Sequence, residues 1–216
     1  MKKIKTALIS VSDKKNLNLL LKNLSKHKIQ IISSGGTYKK IKKLGYKCLE
    51  VSKYTGSKEI LGGRVKTLHP KIHAGILSVR KNKSHIKDLK KHNFEEIDLV
   101  IVNFYPFEKT LENTNNHSKI IENIDVGGPT MVRAAAKNYS DVTVITNPKQ
   151  YEELIEELNS NKSRTTLEFR QKMSEIAFTE TAYYDGLISN YFNSQSKNLF
   201  PKKKIFFGNL IEKLRY

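Results

Sequence analysis

The chain has 216 residues, 38% hydrophobic and 9% aromatic, with 28% charged residues and a formal net charge of +18. That length and composition suit one domain with a sizeable core, and they exclude a disordered chain, a fibrous repeat and a disulfide mini-protein. No run of 18 apolar residues is present to span a membrane.

In chain order, the start MKKIKTALISVSDKK has too short an apolar stretch, and no cleavage-like site, to read as a secretory signal. Thr6 to Val11 reads as a buried strand. Leu17, Leu20, Leu21 and Leu24 then fall at i, i+3, i+4 and i+7, which predicts a helix capped near Ser12 or Asp13. Ile29 to Ser33 predicts a second strand, followed by Ser34-Gly35-Gly36-Thr37 and a short helix stopped by Gly45. Cys48 to Val51 predicts a third strand. Asp98 to Phe104 and Val142 to Thr146 are further buried strands, with a helix between them over Gly128 to Asn138.

This alternation predicts an α/β fold, a three-layer α/β/α sandwich with a mainly parallel sheet. The catalytic core is expected over residues 1–147. Helices marked by Tyr151, Leu154, Ile155 and Leu158, and by Thr166 to Phe192 as one helix or a broken pair, are expected to pack on it over 148–193. Residues 194–216 read as a Lys-rich linker and the start of something else, with Phe206, Phe207 and Leu210 as a candidate exposed apolar patch. The lone Cys48 allows no intrachain disulfide and fits a reducing cytoplasm.

Thirteen lysines in the first fifty residues face only Asp13 and Glu50, which raises a polyanion partner. The lysines sit on helix faces without interleaved aromatics, so no nucleic acid is expected. A steep fall of affinity with salt would mark that rival class.

Five motifs carry candidate chemistry. Ser12 and Lys14 lie where the first strand meets its helix, and Ser34, Gly36 and Thr37 repeat that arrangement after the second. Each reads alone as a cap or turn, and the pair together as a phosphate site at strand carboxyl ends. Gly62 to Pro70 (GGRVKTLHP) reads as an extended segment with Arg64 and Lys66 on one side and Thr67 beside them. His69 and His73 are split by Pro70, and no metal is expected. Asn103-Phe104-Tyr105-Pro106-Phe107 ends a strand, with Tyr105 either packed or facing a crevice. Asp125, Gly127 and Gly128 precede a helix carrying Arg133 and Lys137. They read as a simple N-cap with a solvated lysine, or as acid–base groups beside a phosphate pocket.

Taken in order and spacing, SVSDK, SGGT, GGRVKTLHP, NFYPF and IDVGGPTMVRAAAKN resemble the IMP cyclohydrolase domain of the bifunctional AICAR transformylase/IMP cyclohydrolase family. Phe104 stands where leucine is common, the family's pattern being NLYPF. The resemblance implies a methylglyoxal-synthase-like fold and closure of FAICAR to IMP with loss of water, the last step of de novo purine biosynthesis, without cofactor. It implies Lys66, Tyr105, Asp125 and Lys137 as the catalytic group. Ser12, Lys14, Ser34, Gly36, Thr37, Arg64, Thr67, Asn103, Gly127 and Gly128 are implied as substrate contacts. It further implies a cytoplasmic homodimer. The terminal LRY is similar to the start of the segment leading into a transformylase domain, so that activity is expected to be absent from this chain. A methylglyoxal synthase or regulatory domain of that fold is the rival within the fold class, against which the absence of a GDPLGG-type motif counts.

Overall fold

The computed structural model describes residues 1–196 and 201–208. Its elements run β1 (Lys2–Lys3), β2 (Thr6–Val11), α1 (Leu17–Lys26), β3 (Gln30–Ser33), α2 (Gly35–Lys43), β4 (Leu49–Glu50) and α3 (Val51–Thr55). They continue with α4 (Pro70–Leu77), α5 (Lys83–Lys91), β5 (Leu99–Asn103), α6 (Phe107–Asn113), α7 (His117–Glu122) and α8 (Gly127–Lys137). Then follow β6 (Thr143–Ile145), α9 (Tyr151–Ser160), β7 (Arg164–Thr165) and α10 (Leu167–Gln195).

Five strands form one parallel sheet in the order β4-β3-β2-β5-β6, while β1 and β7 pair antiparallel apart from it. β2 lies at the centre, with Thr6 opposite Gln30 on one side and Val11 opposite Asn103 on the other. Its near-continuous burial matches a strand covered on both faces. Helices flank the sheet: α1 lies against α9, and α8 packs on β5, β6, α4 and α10. The stripe Leu17, Leu20, Leu21 and Leu24 is wholly buried, as its spacing predicts.

Three local expectations are corrected. Helix α1 starts at Leu17 behind Asn16, which sits in the left-handed region at φ 56°, so neither Ser12 nor Asp13 caps it. The third strand is only Leu49–Glu50, because Val51 already begins α3. Residues 61–67 coil through a 3-10 turn instead of extending. Leu61, Gly62 and Gly63 take three successive positive φ values there, which breaks the alternation an extended segment would need. Of the two readings offered for Thr166 to Phe192, the single helix holds: α10 runs unbroken from Leu167, capped where the Thr166 hydroxyl accepts the Phe169 N–H at 3.2 Å.

Leu154, Leu158, Phe169, Met173 and Ala177 join the same core as the sheet residues. A second, smaller core gathers Phe107, Ile120, Tyr184 and Tyr191, so the C-terminal half of α10 carries α6 and α7. Of the expected apolar patch, Phe206 is exposed, Phe207 stacks edge-on with Tyr183 at 4.8 Å, and Leu210 lies outside the described residues.

Helix α4 docks through Gly75, whose carbonyl accepts the Ile97 N–H and the Arg80 Nη2, both at 3.1 Å. A Cβ there would stand 2.6 Å from the Glu95 carbonyl oxygen, which is rigid backbone. Gly75→Ala is therefore expected to cost about 1–3 kcal/mol of stability, measured by chemical denaturation. An unchanged midpoint would mean that α4 has room to shift.

A candidate active-site cleft at the carboxyl edge of the sheet

A cleft of about 540 Å³ opens beyond the carboxyl ends of β2, β3 and β5. That is where a parallel sheet leaves loop backbone and helix N-termini free to meet a ligand. Ser12, Lys14, Ser34, Gly36, Thr37, Arg64, Lys66, Thr67, Asn103, Tyr105, Asp125, Gly127 and Gly128 all line it. The structure thus brings together every candidate residue except Lys137. That lysine is exposed at the far end of α8, roughly 15 Å along the helix from Gly127 at about 1.5 Å per residue.

The first wall is anion-receptive. Helix α2 begins at Gly35 with its leading N–H groups unpaired within the helix. The open space around Gly36 leaves room for an anion to approach them. The Ser34 hydroxyl is buried and without a protein partner, which leaves it for a ligand. Thr37 and Asn103 line the cleft and also hold its scaffold. The Thr37 hydroxyl donates to the Val11 carbonyl at 2.9 Å and accepts the Val11 N–H at 3.0 Å, locking α2 to the end of β2. The Asn103 Oδ1 accepts the N–H groups of Ser12 (2.6 Å) and Asp13 (2.9 Å), while its Nδ2 donates to the Asp13 carbonyl at 3.0 Å. Asn103 therefore shapes the Ser12–Lys14 loop. Lys14 bends back to donate to the Ser12 carbonyl at 3.1 Å.

Two cations close over this wall. The Lys66 ammonium stands where a side chain on Gly35 would begin, 3.0 Å from that position, so it overhangs the start of α2. Gly35 has φ +54°, a second reason for glycine there. Glu59 lies 3.8 Å from the Lys66 Nζ, and Arg64 forms a two-pronged pair with Glu122. Neither glutamate stood out in the sequence, since no spacing rule links position 59 to 66 or 64 to 122. Both pairs are largely exposed, which makes them weak and exchangeable.

The opposite wall carries Asp125. Its Oδ1 accepts the Gly128 N–H at 2.9 Å, and its carboxylate occupies the space a Gly128 side chain would need. Thr67 likewise occupies the space beside Gly127. The two glycines thus let a carboxylate and a hydroxyl sit against the first turn of α8. Burial raises the Asp125 carboxyl above its ordinary range, while the Gly128 N–H and the Lys66 charge pull it down. Its backbone N–H donates to the Tyr184 hydroxyl at 2.8 Å, from a helix 59 residues away that the sequence analysis did not connect to the site. Tyr105 lines the mouth and is 52% exposed.

His69 caps α4, its Nδ1 accepting the Lys71 N–H at 3.1 Å, so the two histidines do not form a helical metal pair. Among the described residues no three His, Cys, Asp or Glu side chains gather as a metal site. Nor is any described helix long and apolar enough to cross a membrane.

A carboxyl with a raised pKa in the folded chain holds its proton more tightly folded than unfolded. Stability is then lost as pH rises past the unfolded value of about 3.9. Asp125→Asn is expected to raise the thermal midpoint at neutral pH, with the gain shrinking toward pH 4. A gain independent of pH would point to packing instead.

Residues 16–130 match the family model of the MGS-like domain, and residues 135–216 match that of the AICARFT/IMPCHase bienzyme. The chain is 46% identical over its whole length to the bifunctional purine biosynthesis protein PurH of Bradyrhizobium diazoefficiens, covering 41% of that protein. It is 48% identical over 97% of its length to PurH of Rippkaea orientalis, covering 42%. The chain therefore spans about two-fifths of these relatives. The crystal structure of ForH superposes with a TM-score of 0.78 at 29% identity, over 88% of this chain and 99% of that one.

Proposed function

The chain belongs to the MGS-like domain family, and on that footing we propose that it is an IMP cyclohydrolase, closing FAICAR to IMP with loss of water. The observation that carries the reading is the pairing, within one cleft, of an anion-receptive wall with a half-buried carboxylate that feels a lysine. A ribonucleotide needs the first, and an acid–base ring closure needs the second.

In the reaction the carboxamide nitrogen attacks the formyl carbon of the same molecule. The carboxamide nitrogen and the formamide nitrogen each give up one proton, and both leave with the formyl oxygen as water. The site must fold the substrate, take and return protons, and stabilise the hydroxyl-bearing tetrahedral centre. The phosphate is assigned to the start of α2, with the Ser34 hydroxyl, the Ser12–Lys14 loop and Arg64 around it. Binding there exchanges the Arg64–Glu122 contact for an Arg64–phosphate one. Lys66 is assigned to the formyl oxygen as its charge stabiliser, with Tyr105 as the proton donor beside it. Asp125 takes the amide proton, a role its burial favours by bringing its pKa closer to neutrality. The N–H groups at the start of α8 face the same centre. Thr37 and Asn103 support the reading as the bonds that hold the phosphate wall in shape. Lys137 enters it only as the sequence resemblance implies, since it stands outside the cleft.

The same reading includes a cytoplasmic location, a homodimer, and in longer relatives a linked transformylase domain. Incubation of the chain with FAICAR, without metal or folate, is expected to yield IMP on chromatography. A folded chain that leaves FAICAR unchanged would reject the assignment.

Lys66→Ala is expected to lower turnover by about two to four decades, with the unfolding midpoint nearly unchanged because the side chain lines a crevice. Near-normal turnover in the folded variant would remove Lys66 from the chemistry.

A further inference from the structure

The far wall of the cleft is not built on the main core. Tyr105, Glu122 and Asp125 ride on the segment around α6 and α7, which packs through Phe107 and Ile120 on Tyr184 and Tyr191 of α10. Within that packing one polar contact reaches the cleft. The Tyr184 hydroxyl, on a side chain only 5% exposed, accepts the Asp125 backbone N–H at 2.8 Å. The ring is held by Phe104 at 5.0 Å and by Phe107 edge-on at 6.1 Å, so the hydroxyl is presented from a fixed direction.

Asp125 is consequently gripped at two points. Its carboxylate is tied to the first turn of α8 through Gly128, and its main chain is tied to α10 through Tyr184. The first tie anchors the carboxylate to α8 and the second anchors the main chain to α10, so the two together set where the carboxylate stands. We infer that Tyr184 is a positioning residue for Asp125, fixing the carboxylate against the substrate through the backbone of residue 125. The inference rests on the acid–base role assigned to Asp125 above. Burial pushes the phenol up to about 12, so it stays neutral and keeps its hydroxyl at every working pH. It therefore orients the loop without taking a proton itself.

The test compares Tyr184→Phe with the wild-type chain and with Tyr191→Phe. The latter removes a hydroxyl from the same small core, one bonded to His117 at 2.7 Å and not to the Asp125 loop. Tyr184→Phe keeps the ring and leaves the Asp125 N–H without its acceptor. Turnover of FAICAR is expected to fall by about 10- to 100-fold, the usual consequence of a misplacement of the order of 1 Å, with KM nearly unchanged. Tyr191→Phe is expected to keep wild-type turnover.

The second readout does not need turnover. Carbon-13 labelling of aspartate carboxyls follows the titration of Asp125 in the unliganded chain. The charged and titratable groups around it are Lys66 and Arg64 from the 61–67 coil, Lys14 after β2, Glu122 and Tyr105 on its own wall, and Tyr184 from α10, itself beside Asp185. A loosened loop admits water, so the Asp125 midpoint is expected to move down toward the ordinary carboxylate value in Tyr184→Phe and to stay in Tyr191→Phe. An Asp125 titration and turnover both unchanged in Tyr184→Phe overturn the inference. So does a turnover loss accompanied only by a lower unfolding midpoint, which marks a structural role. If the wild-type chain does not cyclise FAICAR, the functional assignment fails, and the titration alone still decides whether Tyr184 positions Asp125.

Discussion

Parallel pairing about β2 is the constraint from which the rest of the molecule follows. With β3 on one side and β5 on the other, three carboxyl ends arrive at the same edge in register, Val11 beside Asn103 and Ile9 beside Ser33. Parallel neighbours need crossovers, so each strand end must turn at once into a loop or helix. The backbone groups released there have no ladder partner. Thr37 and Asn103 satisfy them at the β2 end, which is why two residues with the look of ligand contacts spend their hydrogen bonds on the scaffold. What remains unspent, the α2 N-terminus and the Ser34 hydroxyl, is what the cleft offers to a guest.

Electrostatically the cleft is nearly self-neutralised at its mouth. Arg64 meets Glu122, Lys66 meets Glu59, and Asp125 feels Lys66 from the other side. The protein's excess of +18 is therefore not concentrated as bare charge at these two cations. Exposed pairs of this kind are worth little on their own. A phosphate seated on helix N–H groups competes well against a solvated glutamate, since it adds charge-assisted bonds the carboxylate does not make. Such an arrangement keeps the guanidinium and ammonium oriented before the ligand arrives.

Much of the architecture was legible in the amino-acid sequence where one physical period dominated. The leucine stripe of α1 and the apolar runs of β2 and β5 each had a single reading, and the family motifs placed most cleft residues together. Legibility failed where glycine or long range intervened. Residues 61–67 looked extended because Arg64 and Lys66 alternate, but positive φ at Leu61, Gly62 and Gly63 coils the chain there. Glu59 and Glu122 find their cations only because that coil folds back. Tyr184 lies 59 residues from Asp125, and no local pattern announces a bond between a phenol and a main-chain N–H. Lys137 shows the converse: its motif neighbours the others in sequence, yet helical rise carries it away from them.

Helix α10 is a continuous rod of 29 residues, about 44 Å at 1.5 Å per residue. Phe169, Met173 and Ala177 at its start belong to the sheet's core, whereas Tyr184 and Tyr191 near its end belong to the small aromatic one. One secondary-structure element is thereby shared between two packing units of very unequal size. Backbone amide protons should then exchange in two tiers along a single helix, slow through the first turns and faster past residue 184. The small core can open without the sheet unfolding. The wall bearing Asp125 belongs to the less protected tier, so the two walls of the cleft differ in how readily they open, with the wall at the start of α2 the firmer one.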